Sequence, residues 1–218
     1  KRKMIEDRID WDGVERRLRR VYKTPKQAQA FLDQLEAALP KPRLNRFLPP
    51  VNRNIRPPYP KQESFLLENC KELFYGGAAG GGKSTSMLLG ALQYLDVPGY
   101  SALLLRRTFS ELSKSGALMD LAQQWLQGTD AVWSGFNKRF RVPGGGVLEF
   151  GYLENDNDKY QYQSAAYQSI GIDELTEWPW ESTYRFMFSR LRRPVWMNVP
   201  LRMRSGSNPI GPGAPWVK

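Results

Sequence analysis

The chain has 218 residues, enough for one sizeable domain with an appendage, and its 41% hydrophobic and 25% charged content is that of a folded protein. A single cysteine, Cys70, and the lack of any histidine exclude an internal disulfide framework, a zinc site and a histidine-based catalytic triad. The net charge of +10 is uneven, with +8 in residues 1–60 and +2 in residues 61–218, which suits a polyanionic partner or a solvated arm that aids solubility.

Residues 5–22 read as an amphipathic basic helix, and Thr24-Pro25 caps a second helix that runs through Phe31 and Leu35 to Leu39. Seven prolines and five Lys/Arg between Pro40 and Pro60 predict a linker or extended arm. The expected organisation is therefore a basic helical arm over 1–39, a Pro-rich linker over 40–60 and a folded domain over 61–218. In that domain Gln62 to Cys70 reads as helix and Glu72 to Tyr75 as a short strand. A helix follows from Lys83 to about Tyr94. Its apolar stretch, Met87 to Leu95, is too short to cross a bilayer, and no apolar run follows the basic Lys1-Arg2-Lys3 as a signal peptide requires. Ser101 to Leu105 is a buried strand, and Phe109 to Gln127 reads as one long helix with Leu112, Leu118, Leu121, Trp125 and Leu126 on its apolar face. Two β-rich runs around Pro143-Gly144-Gly145-Gly146 predict a hairpin between Ala131 and Tyr152. A buried strand (Ser169 to Ile172), a helix (Glu181 to Leu191) and a last strand (Leu201 to Arg204) complete the order. Strands alternating with helices imply an α/β domain whose mainly parallel sheet is covered on both faces.

Gly77-Ala78-Ala79-Gly80-Gly81-Gly82-Lys83-Ser84, followed by Thr85, matches the phosphate-loop pattern G-x-x-x-x-G-K-[ST]. Glycines let successive N–H groups turn toward phosphate oxygens, and the following helix points its positive end at the same anions. Lys83 is placed to reach the β- and γ-phosphates, and the Ser84 hydroxyl to ligate Mg²⁺. Ninety residues after Lys83, the apolar run from Ser169 ends in Asp173-Glu174. A parallel sheet presents the carboxyl ends of its strands to the ligand, so the pair belongs beside the loop. Asp173 would serve the metal and Glu174 would activate water. Gln62, in Tyr59-Pro60-Lys61-Gln62, could pair with an adenine edge through its amide. Ser205-Gly206-Ser207-Asn208 follows a strand and could sense the γ-phosphate.

The ordered set resembles the ATPase domain of the large terminase subunit of tailed bacteriophages, the motor that packages viral DNA. The resemblance covers roughly residues 57–218 and rests on the Gln62 segment, Leu73 to Ser84, Leu103 to Thr108, Ile170 to Thr176 and Ser205 to Lys218. It implies a RecA-like P-loop NTPase fold of the ASCE type, preceded by the basic arm. It also implies ATP hydrolysis with Mg²⁺, translocation of double-stranded DNA into a procapsid, and a homo-oligomeric ring. Portal protein and small terminase subunit would be partners in the host cytoplasm, with no membrane role. In the resembled family these segments are the adenine motif, the phosphate loop, the carboxylates and a coupling motif at Ser205 to Asn208. Many members carry an arginine in the phosphate loop, but residues 77–82 here are only Gly and Ala. The compensating charge would come from Arg106, Arg107, Arg139, Arg190, Arg192 or Arg193, each of which also reads as a surface or DNA-facing side chain. The family's nuclease domain has no residues here to form it. Six arginines and no acid between Arg185 and Arg204 offer a DNA-facing run, or partners for Glu177 and Glu181. Two other readings stay open: half of a helicase or remodelling motor, and a nucleotide-gated DNA-binding module without turnover.

Overall fold

The computed structural model describes residues 60–68, 70–78 and 80–217, with 26, 30, 43 and 45–48 upstream. The predicted helix over 5–22 lies outside the described residues. Of the one over 24–39 only Lys26 and Ala30 are described, both helical and exposed.

Helix α1 (Pro60–Leu67) leads into strand β1 (Glu72–Gly76), and a glycine-rich loop joins that strand to α2 (Lys83–Leu92). Strand β2 (Ser101–Arg106) is followed by α3 (Phe109–Ser113) and α4 (Leu118–Leu126). The expected single helix is thus broken after Ser113. Lys114 turns extended, and Gly116 takes a φ of 75°, open to glycine at little cost. The Asp120 carboxylate then accepts the Gly116 N–H at 2.7 Å and starts the new helix. Leu112 on one piece and Leu118, Met119, Ala122 and Leu126 on the other are still buried together.

The predicted hairpin is a three-stranded meander: β3 (Val132–Ser134), β4 (Arg139–Arg141) and β5 (Val147–Tyr152) pair antiparallel in sequence. The first β-rich run supplies two strands because it turns back on itself at Gly135–Lys138. After a 3-10 turn at Asp156–Tyr162 come β6 (Ser169–Asp173), a second 3-10 turn (Leu175–Glu177), α5 (Glu181–Phe188), β7 (Arg202–Ser207) and α6 (Ala214–Val217).

The seven strands form one sheet in the order β1-β7-β6-β2-β5-β4-β3, parallel from β1 through β5. Strand β7 lies between β1, which feeds the glycine loop, and β6, which ends in the acidic pair. The period-two alternation of β2 shows why both faces are covered. Ala102 and Leu104 pack with Met87, Leu88 and Leu92 of α2, while Leu103 and Leu105 pack with Ile170, Ile172, Met203 and Met187 on the other side. Between these layers β6 carries Gly171, where a Cβ would stand 2.5 Å from a Leu104 methyl. Gly206 faces Lys83 and Met87, where a Cβ would meet both at 3.3 Å. These two small residues let α2 lie close over the ends of β6 and β7, which fixes the start of that helix beside them.

Part of the Pro-rich stretch docks on this domain. Phe47 is fully buried among the residues of α2 and α4, and Arg43 pairs with Asp96 while Arg46 pairs with Asp130 at 2.8 Å. No helix among the described residues is long and apolar enough to cross a membrane.

Candidate functional site

Strands β1, β6 and β7 end side by side, and their exits bring together the glycine loop, the acidic pair and Ser207-Asn208. The loop leaves β1 at Gly77, whose N–H reaches the Ser207 carbonyl at 3.3 Å. It enters α2 through Gly82, left-handed at φ 74°, so the first N–H groups of α2 face the loop's concave side. Two side chains brace it: Gln62 Nε2 donates to the Gly82 carbonyl at 3.0 Å, and the Tyr75 hydroxyl donates to the Gly81 carbonyl at 3.1 Å. Gly77, Ala78, Gly80 and Gly81 are exposed and Thr85 is half-buried in the first turn of α2; Ala79 lies outside the described residues.

Lys83 is buried, yet its ammonium reaches across the loop mouth. Its Nζ donates to the carbonyls of Gly77 and Ala78 at 2.9 Å each and to Asn208 Oδ1 at 3.0 Å. These three donors are aimed where phosphate oxygens would compete for them. Ser84 Oγ lies 3.0 and 2.9 Å from the two oxygens of Asp173. A hydroxyl and a carboxylate in contact are hard oxygen donors of the kind Mg²⁺ takes, and that ion keeps most of its shell for waters and substrate phosphates. Among the described residues no group of three or more acidic or thiol side chains could hold a metal by itself. The donor set therefore fits a cation that arrives with a nucleotide.

Asp173 is 2% exposed. Burial pushes its carboxyl above the usual range, while the nearby Arg106 guanidinium and the Ser84 hydroxyl oppose that shift. Arg106 Nε stands 3.1 Å from Asp173 Oδ2 and an Arg106 terminal nitrogen 4.0 Å from Glu174 Oε1. Glu174 adopts φ 54°, ψ 53°, a left-handed conformation that costs a non-glycine residue about 1–2 kcal/mol. Such strain persists where the surroundings hold it. Here Glu174 Oε2 accepts from Ser207 Oγ at 3.1 Å and from the Asn208 N–H at 3.4 Å. Asn208 thus touches both Lys83 and Glu174.

Sequence reasoning missed Thr176. It is 2% exposed, and its hydroxyl contacts Ser207 Oγ and lies 3.0 Å from the carbonyls of both Asn208 and Ile210. Its own N–H reaches Ser207 Oγ at 3.2 Å. A hydroxyl two residues past the acidic pair was the available signal, but nothing local says that it reaches across to β7's exit. Ser205 and Gly206 lie within β7, buried, with Gly206 under Lys83.

The six arginines considered for charge compensation separate by position. Arg106 is at the site. Arg107 donates to the Glu177 carbonyl at 3.1 Å, and Arg139 sits on β4 opposite Glu149. Arg190, Arg192 and Arg193 donate to the carbonyls of Gln163, Ala165 and Val199. These three lie at the amino end of the sheet, where Tyr167 bridges to Leu191, opposite the glycine loop and the acidic pair. The Arg185–Arg204 run is not one surface. Arg202 and Arg204 are buried in β7, where Arg202 donates to Gln93 Oε1 and Arg204 to the carbonyls of Glu68 and Cys70. Burial draws the Arg204 pKa down to about 10. Arg185 pairs with Glu181 one helical turn away.

No protein-family model and no curated protein matches the sequence. Among solved structures the chain is similar to the large terminase of bacteriophage HK97, with a TM-score of 0.58 and 11% identity over 76% of this chain and 36% of that one. It is also similar to the large terminase of the thermophilic bacteriophage D6E, with a TM-score of 0.52 and 12% identity over 80% of this chain and 40% of that one. At such identities the likeness establishes the fold, a RecA-like α/β domain. The chain spans well under half the length of either.

Proposed function

We propose that this chain is the ATPase domain of a large terminase and hydrolyses ATP to drive double-stranded viral DNA into a procapsid. The observation that carries the reading is the convergence of Lys83, Ser84, Asp173, Glu174 and Asn208 at the carboxyl ends of three adjacent strands. The loop amides and Lys83 would hold the phosphates, with Ala79 and Thr85 completing the loop and helix start. Ser84 and Asp173 would hold Mg²⁺, which when bound screens the phosphate charge. Glu174 would take the proton of the attacking water, since Asn208 bonds both its carboxylate and the Lys83 ammonium. Gln62 would act by shaping the loop end at Gly82 beside the base. Ser205 to Asn208 would report the γ-phosphate to β7 and onward through Thr176.

DNA would be met at the other end of the sheet, where Arg192 and Arg193 flank the exposed Trp196, and by the basic segment before residue 40. Arginines there can bind phosphates without reading sequence, as a translocating motor requires. Assembly as a ring around DNA, contact with portal and small-subunit proteins, and action in the host cytoplasm belong to the same proposal.

The test is phosphate release from ATP and Mg²⁺, measured with and without linear duplex DNA. The reading expects turnover that duplex DNA raises and that Lys83→Ala abolishes. Turnover absent under all conditions, with ATP bound, would leave the nucleotide-gated binding module in its place.

A further inference from the structure

The loop that would cradle the phosphates carries only one cation, Lys83, because residues 77–82 are glycine and alanine. Phosphoryl transfer spreads negative charge over the equatorial oxygens of the moving group, and catalysis is mostly the placing of positive charge against them. One ammonium that also bridges two loop carbonyls and Asn208 is a thin supply.

Strand β2 provides a second cation. The parallel register pairs Leu105 with Ile172, so the next residues along, Arg106 and Asp173, leave the sheet together. Arg106 is about four-fifths buried, its Nη1 held by the Glu111 carbonyl at 3.3 Å. Its Nε is fully buried and makes no aligned hydrogen bond, although Asp173 Oδ2 is only 3.1 Å away. The contact is therefore Coulombic rather than directional. The other terminal nitrogen faces Glu174 at 4.0 Å, also beyond hydrogen-bond reach. A buried donor left without an aligned acceptor costs about 1–3 kcal/mol, and this one belongs to a guanidinium that lies against both carboxylates of the acidic pair. Because neither carboxylate makes an aligned bond to it, the guanidinium keeps donor capacity that a phosphate oxygen arriving beside the acidic pair can take up. The other five arginines considered are held on backbone carbonyls elsewhere or lie on the far strand β4.

We infer that Arg106 is a catalytic residue of the proposed hydrolysis, acting in its own subunit by hydrogen-bonding the γ-phosphoryl group of ATP. The inference rests on the ATPase reading above. In the nucleotide-free chain its guanidinium rests against Asp173. With ATP present its planar donors address phosphate oxygens that face Glu174. No bond to carbon, nitrogen or phosphorus is made by Arg106 itself; it lends charge and hydrogen bonds while water displaces ADP.

The experiment uses the whole chain and compares wild type, Arg106→Ala, Arg106→Lys and an equimolar mixture of Arg106→Ala with Glu174→Ala. Readouts are the affinity for a fluorescent ATP analogue, the melting temperature and ATP turnover. The expected result is analogue affinity within about threefold of wild type and turnover lowered at least ~10²-fold in Arg106→Ala, with a melting temperature lowered by the loss of the Asp173 counter-ion but still well above the assay temperature. Lysine restores little, because it keeps the charge and loses the fork. The mixture is no more active than the sum of its parts. Turnover within tenfold of wild type in Arg106→Ala would overturn the inference, and so would activity regained on mixing, which assigns the arginine to a neighbouring subunit. Affinity that falls in step with turnover would reduce Arg106 to a counter-ion for Asp173. A wild-type chain that binds ATP without hydrolysing it overturns the ATPase reading itself, whereas a hydrolysing wild type with an equally active Arg106→Ala overturns this inference alone.

Discussion

Thr176→Val separates the acidic pair from the strand that answers it. The two side chains have nearly the same volume, so the change removes one hydroxyl and adds no cavity. That hydroxyl has a single proton for three neighbours, Ser207 Oγ and the carbonyls of Asn208 and Ile210, and the site is 2% exposed. Valine therefore takes the donor from a partly buried carbonyl and puts methyl groups against the buried Ser207 hydroxyl, at about 2 kcal/mol within the range for an unmade buried bond. In a domain of this size that lowers the melting temperature by about 4–8 °C. Loosening residues 208–210 also lets Asn208 drift from Lys83 and Glu174, so ATP turnover should fall roughly tenfold, the scale of about 1.4 kcal/mol in the barrier. Thr176→Ser keeps the hydroxyl and loses one methyl; it should cost only about 1 kcal/mol and hold turnover within about threefold. Thermal melts and phosphate release on the pair of variants are the assay. A valine variant that melts within 2 °C of wild type, roughly the width of one half kcal/mol, and turns over normally would refute the bridging role.

Other perturbations probe the remaining contacts. Gly82→Ala meets both a φ of 74° and a Cβ placed 2.3 Å from Gln62 Nε2, so it should lower ATP-analogue affinity at least ~10-fold with about 2 kcal/mol lost in denaturant melts. Phe47→Ala should cost about 3–5 kcal/mol because the ring is wholly buried, while removal of residues 1–42 leaves it in place and should hold the melting temperature; the reverse order would detach that segment from the domain. Asp156 accepts from Lys159, Ser182 and Thr183, and these bonds draw its pKa down to about 2, so it stabilises the fold above the ordinary aspartate range and less as pH falls through that window. Because its side chain is 36% exposed, the contribution is about 1 kcal/mol at pH 7 and about half of that at pH 3. Comparing denaturant melts of wild type and Asp156→Asn at both pH values checks this, and a gap that widens in acid would contradict it.

What could be read in the amino-acid order was the part that physics writes locally. The Gly/Ala loop between an apolar strand and a helix needs its residue types one by one, and Asp173-Glu174 ends a run that could only be a buried strand. The unbroken apolar run from Ala102 to Leu105 likewise announces a strand buried on both faces. Less visible was anything decided by distant contact. Ser113 to Gly116 is polar enough to continue an exposed helix, and only the Asp120 cap and the φ of Gly116 break it. Arg202 and Arg204 look like surface charge in a basic run. They are buried because a β7 strand between two parallel neighbours has no exposed face. Thr176 reached no prediction, since its partners lie more than thirty residues away. Gln62 was read toward a base, and the structure puts its amide on the Gly82 carbonyl.

The proposed role of Glu174 is to activate water against a phosphate held by Lys83. Its most direct measurement is single-turnover release of phosphate from ATP by Glu174→Ala beside wild type, with analogue affinity measured on the same samples. A general base at Glu174 predicts unchanged affinity and hydrolysis slower by at least ~10²-fold, the usual worth of such a group. Equal rates in the two proteins would contradict it.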